Sequence, residues 1–326
     1  MRIVGFWILL LQCYSALSSE NVHYSCKDDR RYLALNICVV ENVDSDEWLD
    51  LAEIEFPNES YLEFWNGIFH YFGSEMFQLL GDAKQVTFRN GFLRELLFWS
   101  HTLEELRIIN TDLVLFDVLS EPNFNLKQLA IRSPLFSSWS PGMGSLKALE
   151  VIDIAYCNFS FLNLDWFGGY QQLRVLDVSN NGLYSLHSGP FLQLEALEEL
   201  YIWGNRLEYL WRFPDAFPQL KYISLSANWW LCDWVTMARD TIFVKKIISM
   251  DSDFNCEDGW IRNGGLCCRR SGQGRFKARA KTRNIPTFPR RQINVLMTNN
   301  VNESSETAIG VEMDGSIIYV DRPLQI

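Results

Sequence analysis

Six in-phase copies of one short pattern, Leu-x-x-Leu-x-Leu-x-x-Asn with other aliphatics allowed at the leucine positions, fill the middle of this 326-residue chain. They begin with Leu103, Leu106 and Ile108, then Leu126, Leu129 and Ile131, then Leu149, Ile152, Ile154 and Cys157. The series continues through Leu173, Leu176, Val178 and Asn181; Leu197, Leu200, Ile202 and Asn205; and Leu220, Ile223, Leu225 and Asn228. Successive first leucines lie 23 or 24 residues apart. A unit of that length is too small to bury its own apolar face, so copies must stack on one another.

Within each copy the Leu-x-Leu pair alternates with other residues at period two, the signature of a short strand with one buried face. Stacked copies therefore predict an α/β leucine-rich-repeat solenoid. Its curved parallel β-sheet lines the concave side, and its convex side is irregular or carries short helices. The residue that ends each pattern turns the chain inward, where Asn181, Asn205 and Asn228 satisfy backbone groups that would otherwise cost about 1 to 3 kcal/mol each when buried. Cys157 occupies the same inward position, which predicts a small buried free thiol rather than an intermolecular disulfide.

The pattern decays towards the N-terminus. Ala83, Val86 and Phe88 form a degenerate copy followed by Gly91, and residues 62–80 are rich in aromatics without clean phase. One to three worn repeats are expected over residues 44–100, so that the repeats together span 44–228 with the clear copies at 103–228. Both open ends of a solenoid need different, covering units. An N-terminal cap over 19–43 is expected to be closed by Cys26 and Cys38, and a cysteine-rich C-terminal cap over 229–268 contains Cys232, Cys256, Cys267 and Cys268.

Residues 1–18 read as a secretory signal peptide: Arg2, a short apolar run, then small residues at Ala16 and Ser18. The run is broken by Gln12, too short for a membrane anchor. Export makes disulfides the expected state of the six terminal cysteines and argues against zinc, for which no Cys/His spacing fits. Cys267 and Cys268 are adjacent, so each should reach back to Cys232 or Cys256, and the spacing does not choose between the pairings. Residues 233–249 fit a cap helix with Trp234, Met237, Ala238 and Ile242 on one side.

The run Asn228-Trp229-Trp230-Leu231-Cys232-Asp233-Trp234 resembles the C-terminal cap of extracellular leucine-rich-repeat proteins, which typically opens Asn-Pro-x-x-Cys-x-Cys. Trp229 stands where Pro is usual and Trp234 where the second Cys is usual. Together with the repeat length and the Cys-Cys pair, residues 1–268 resemble the leucine-rich immune molecules of mosquitoes. That resemblance implies an innate-immune protein of the haemolymph, with complement-like factors among the partners of some members. Those members pair through C-terminal coiled coils. Residues 269–326 contain Pro286, Pro289 and Pro323 and no heptads, so the likeness is to a coil-less branch and implies a monomer or weak oligomer.

No cofactor, metal site or catalytic motif is read from the chain. His23, His70, His101 and His187 are scattered, with no His-Glu-x-x-His, Gly-x-Ser-x-Gly or phosphate-binding loop around them. The exposed strand face is the better candidate, because its side chains align from repeat to repeat. One column reads Arg107, Ala130, Asp153, Asp177, Tyr201 and Ser224, and the next reads Ile109, Arg132, Ala155, Ser179, Trp203 and Ser226. Tyr156, Tyr201, Trp203 and Tyr222 are expected close together beside Asp153 and Asp177, an aromatic patch with charge that suits a binding hot spot. An ordinary solvated strand face is the competing reading.

Glycan acceptors Asn58, Asn158 and Asn302 each precede x-Ser. The formal charge of −11 divides unevenly, with 18 basic and 35 acidic residues in 19–268 but 10 and 5 in 269–326. That balance argues against nucleic acid as a partner of the repeats. The basic tail, with Lys277, Arg279, Lys281 and Arg283, reads as disordered, the alternative being contact with an anionic surface. The expected function is a secreted, non-enzymatic recognition protein whose concave face binds a protein or a microbial surface ligand. The alternative is an extracellular structural or adhesive protein without an immune role.

Overall fold

The computed structural model describes residues 22–27, 37–47 and 50–271, together with the backbone of two strands at 309–313 and 316–320. The expected leader at 1–18, Lys277 to Arg283 and Asn302 lie outside the described residues.

A ten-stranded sheet runs the length of the repeat array, and its strands stand side by side in chain order. They are β1 (Cys38–Glu41), β2 (Tyr61–Trp65), β3 (Gln85–Arg89), β4 (Glu105–Ile109) and β5 (Gln128–Arg132). Next come β6 (Val151–Asp153), β7 (Val175–Asp177), β8 (Glu199–Tyr201), β9 (Tyr222–Ser224) and β10 (Ile248–Ser249). Every neighbouring pair is parallel. The register joins Leu62, Val86, Leu106, Leu129, Ile152, Leu176, Leu200 and Ile223 into one buried column.

The worn N-terminal region holds two strands of this sheet, β2 and β3. Its pattern fades because phenylalanine replaces the aliphatics: Phe64 and Phe88 are register partners, stacked at 5.3 Å between ring centroids. Phe69, Phe72 and Phe77 pack edge-to-face around them. The opposite wall carries strands here, alongside the irregular and short helical stretches expected of a convex side. Ile68–Phe72, Phe92–Phe98 and Leu115–Val118 form a second parallel sheet there, and 161–163 pairs with 185–187 further on. One short helix, Ser74–Leu79, and several 3-10 turns complete the convex wall.

Three disulfides hold the terminal cysteines, pairing Cys26 with Cys38, Cys232 with Cys268, and Cys256 with Cys267. The cap helix spans Cys232–Lys245 and ends at Lys246 in the left-handed region. It is shorter than expected because the chain leaves it to add β10 to the long sheet. It buries Trp234, Val235 and Ala238, whereas Met237, assigned to the same side, is exposed. Trp230 is fully buried, donates its indole N–H to the Leu225 carbonyl at 2.7 Å and stacks on Trp234 at 4.3 Å. The indole of Trp234 thus packs where related caps place a second cysteine.

The turn beyond β9, the last of the repeats, would leave orphan N–H groups, and two carboxylates take them. In the repeats, Ile154, Val178 and Ile202 donate backbone N–H groups to Asp177, Tyr201 and Ser224 carbonyls. One repeat further, Leu225 and Ser226 donate theirs to the Asp251 carboxylate, and Ala227 donates to Asp253. Beyond residue 273 lies a separate unit in which Ile309–Met313 and Ser316–Val320 pair as an antiparallel hairpin, in a stretch read from sequence as disordered.

The inward polar residues bridge adjacent repeats. Asn205 donates its amide to the Val178 and Ile202 carbonyls at 3.0 Å each and accepts from the backbone N–H of Asn181, Gly182 and Leu183. Asn205→Ala orphans these groups in a site only 4% exposed, so denaturant unfolding should show a loss of about 3 kcal/mol. Two repeats before Asn205 the Cys157 thiol replaces the amide, donating to the Ile131 carbonyl at 3.1 Å. Burial pushes this thiol up to about 12, so alkylating reagents should label Cys157 after unfolding and leave it untouched in the native protein.

Candidate functional site

The concave face is built by the residues between the buried leucines, and parallel register fixes which of them meet. Asp153, Asp177, Tyr201 and Ser224 are consecutive partners across β6, β7, β8 and β9. Tyr222 pairs with Glu199 in the adjoining column, so it stands beside Tyr201 and away from the other two aromatics. Tyr156 and Trp203 come from the turns beyond β6 and β8, with the turn after β7 between them, and their rings meet edge-to-face at 6.3 Å. Ser179, the small residue between them, is buried. The structure thus brings together Asp153, Asp177, Tyr201, Tyr156 and Trp203, with Tyr222 at the margin.

Tyr156 has a positive φ of 56°. Asn42, Asn66, Asn90, Asn110 and Asn180 share that conformation elsewhere on the chain, as does Gly204. Asparagine and glycine tolerate the left-handed region, whereas a bulky side chain there costs roughly 1 to 2 kcal/mol. Tyr156 therefore carries backbone strain on the concave rim, as Ala227 does at the equivalent position of a later repeat, and it is the bulky side chain of the two.

Charge on this face changes along the array. Towards the N-terminus carboxylates and guanidinium groups are matched: Arg89 pairs with Glu63 and Arg107 with Glu105. Arg132 directs Nε and Nη2 to one oxygen of Asp153, at 2.9 and 2.6 Å. The next carboxylate is unmatched. Asp177 accepts from the Ser179 backbone N–H at 2.9 Å and hydroxyl at 2.6 Å, both through Oδ1. Among the described residues no Lys, Arg or His forms an ion pair with Asp177 or with Glu199, which accepts from the Tyr201 hydroxyl at 2.6 Å.

Burial, followed by repulsion from the neighbouring Asp153 carboxylate, pushes Asp177 up to about 6, against the pull of Ser179 and Arg132. Burial and the adjacent Glu199 likewise raise the Tyr201 phenol. Arg132, Glu199, Ser179 and Ser224 complete the site, although sequence reasoning did not rank them with it. The column arithmetic that found Asp177 also places them, but without depth it cannot separate matched charge from unmatched.

The described residues hold no group of three or more His, Cys, Asp or Glu arranged for a metal ion. No helix among them is long and apolar enough to cross a membrane. Asn58 and Asn158 are both exposed, as glycan attachment requires.

These features define a leucine-rich-repeat fold with disulfide-bonded ends. The leucine rich repeat family model matches residues 147–207 and 171–229. Trophoblast glycoprotein of Macaca fascicularis is 33% identical over 93 residues, which make up 27% of this chain and 22% of that protein. The Mus musculus protein is 34% identical over 92 residues, with the same coverage of 27% and 22%. The matched stretch thus spans 22% of the length of these curated relatives. The LRIM1/APL1C complex is similar at a TM-score of 0.44 and 14% identity, covering 78% of this chain and 72% of that one. Human 5T4, also named trophoblast glycoprotein, gives 0.45 and 19%, covering 60% and 78%.

Asp177 makes a testable electrostatic statement. Its folded pKa lies above the ordinary carboxylate value near 3.9, so the folded state binds the proton more tightly than the unfolded chain. Its contribution is therefore most favourable below about pH 4 and declines as pH rises to about 6. Asp177→Asn keeps the Oδ1 acceptor and removes the charge. Thermal melts should show the variant more stable than the parent at pH 7, with the gain vanishing at pH 4.

Proposed function

We propose that this chain is an extracellular recognition protein that binds a protein partner through the C-terminal half of its concave face and serves innate-immune recognition or regulation. The observation that carries this reading is the edge-to-face pair of Tyr156 and Trp203 beside the Asp153–Asp177 carboxylates. Two rings held against each other on a rigid sheet present apolar area at little entropic cost, and charge alongside supplies specificity. Strain at Tyr156 favours this reading over an ordinary solvated strand face. Export is supported by the three disulfides, which persist in oxidising compartments. The immune assignment rests on the resemblance of repeats and caps to leucine-rich immune molecules.

Affinity capture from native body fluid with the full chain tests the proposal. Trp203→Ala and Tyr156→Asn, the latter suited to the left-handed conformation, should keep the fold and weaken capture of the bound protein by about tenfold or more. Undiminished capture by both variants would remove the patch from the account. Capture confined to matrix components would favour a structural or adhesive role.

A further inference from the structure

The concave face carries more carboxylate than it neutralises, and the surplus lies beside its aromatic pair. Arg132 is committed to Asp153 with two N–H donors, and no described group hydrogen-bonds Oδ2 of Asp177. Glu199 stands on the next strand, diagonal to Asp177 and without a cation. A carboxylate removed from water and left without a counter-charge is costly unless something supplies one.

An independent feature in the same column points to an occupant. Ser224 follows Tyr201 in register, is only 3% exposed, and its hydroxyl has no hydrogen-bond partner. Buried hydroxyls are ordinarily satisfied, so one left open on a binding face marks a position for an incoming polar group. The Asn180 amide nitrogen, between the turns carrying Tyr156 and Trp203, is also buried without an acceptor.

The chemistry of these groups selects the ligand. Carboxylate oxygens and a hydroxyl accept from cationic donors, and the faces of Tyr156 and Trp203 attract a cation through their quadrupoles. A free amide N–H suits a carbonyl, which a peptide backbone provides. An anionic or purely apolar ligand would leave Asp177 and Ser224 unpaired. Building on the recognition role proposed above, we infer that the concave site takes a basic side chain, guanidinium or ammonium, from its protein partner, with Asp177 as the counter-charge and Tyr156 and Trp203 beside it.

Groups facing Asp177 set its response to pH. Asp153 and Arg132 lie on the N-terminal side, Tyr201 and Glu199 on the C-terminal side, and Tyr156 at the rim. With its carboxyl pushed up to about 6 by burial and by the Asp153 carboxylate, Asp177 takes up a proton on mild acidification. Acidification from pH 7.4 to 5 should therefore weaken capture of a basic side chain.

A tetra-arginine peptide, with tetra-glutamate as control, can be titrated against the full chain by calorimetry at low salt. The expected result is binding of tetra-arginine alone, weakened about tenfold by Asp177→Asn and again by lowering the pH to 5. Glu195→Gln removes an exposed carboxylate outside the sheet and should change affinity by less than about twofold. Equal losses from Asp177→Asn and Glu195→Gln would reduce the effect to general acidity and overturn the inference, as would pH-independent binding. Unchanged tetra-arginine binding by Asp177→Asn, alongside loss of native-partner capture by Trp203→Ala, would refute the cation site and leave concave recognition standing. The reverse pair of results would refute concave recognition of the native partner.

Discussion

Every repeat in this protein is unfinished by itself. Its strand exposes a row of N–H and C=O groups, and its inward-turning residue needs partners that only a neighbour supplies. Asn205 shows the constraint in one side chain, since its amide reaches the Val178 carbonyl of the preceding repeat while its oxygen takes three N–H groups from the following turn of that repeat. The polar bridges and the buried aliphatic column enforce the same register. A one-residue slip would turn the leucines outward and break the ladder together.

That constraint also dictates how the array must stop. A further repeat would supply carbonyls to Leu225 and Ala227; Asp251 and Asp253 supply carboxylates instead, Asp251 also taking the Ser226 N–H, on a segment tied down by the Cys256–Cys267 disulfide through the neighbouring Cys267 N–H. Trp230 and Trp234 close the apolar end. On the outer side Trp229 meets Tyr184 edge-to-face, and the Arg206 guanidinium lies 4.9 Å from one ring and 5.5 Å from the other. The substitutions that set this cap apart at Trp229 and Trp234 thus act as packing elements, one outside and one inside.

Legibility from sequence followed the same physics. Between residues 103 and 228 aliphatic periodicity fixes the strands, and counting along it places Asp153, Asp177, Tyr201 and Trp203 on one face before any coordinates exist. Counting weakens over 61–89, where Phe64 and Phe88 keep the buried positions but lose the leucine signature. Pairing of Cys232 and Cys256 with Cys267 and Cys268 depends on where the helix turns back, which no spacing encodes. The helix buries Trp234 and Ala238 as expected, but the face is completed by Val235 rather than Met237, which shifts its centre by less than a turn. Depth was invisible as well: Asp153 and Asp177 look alike in sequence, yet Arg132 hydrogen-bonds Asp153 and not Asp177.

The concave face depends on continuity of one ladder from β1 to β10, and native-state hydrogen exchange reads that continuity most directly. The amide protons of Ile154, Val178 and Ile202 and those of Asn66 and Asn90 all donate across the same ladder, at 2.8 to 3.2 Å. Comparable slow exchange in both sets, collapsing over the same range of denaturant, is the expected result. Rapid exchange at Asn66 and Asn90 while the later repeats stay protected would contradict a single continuous array.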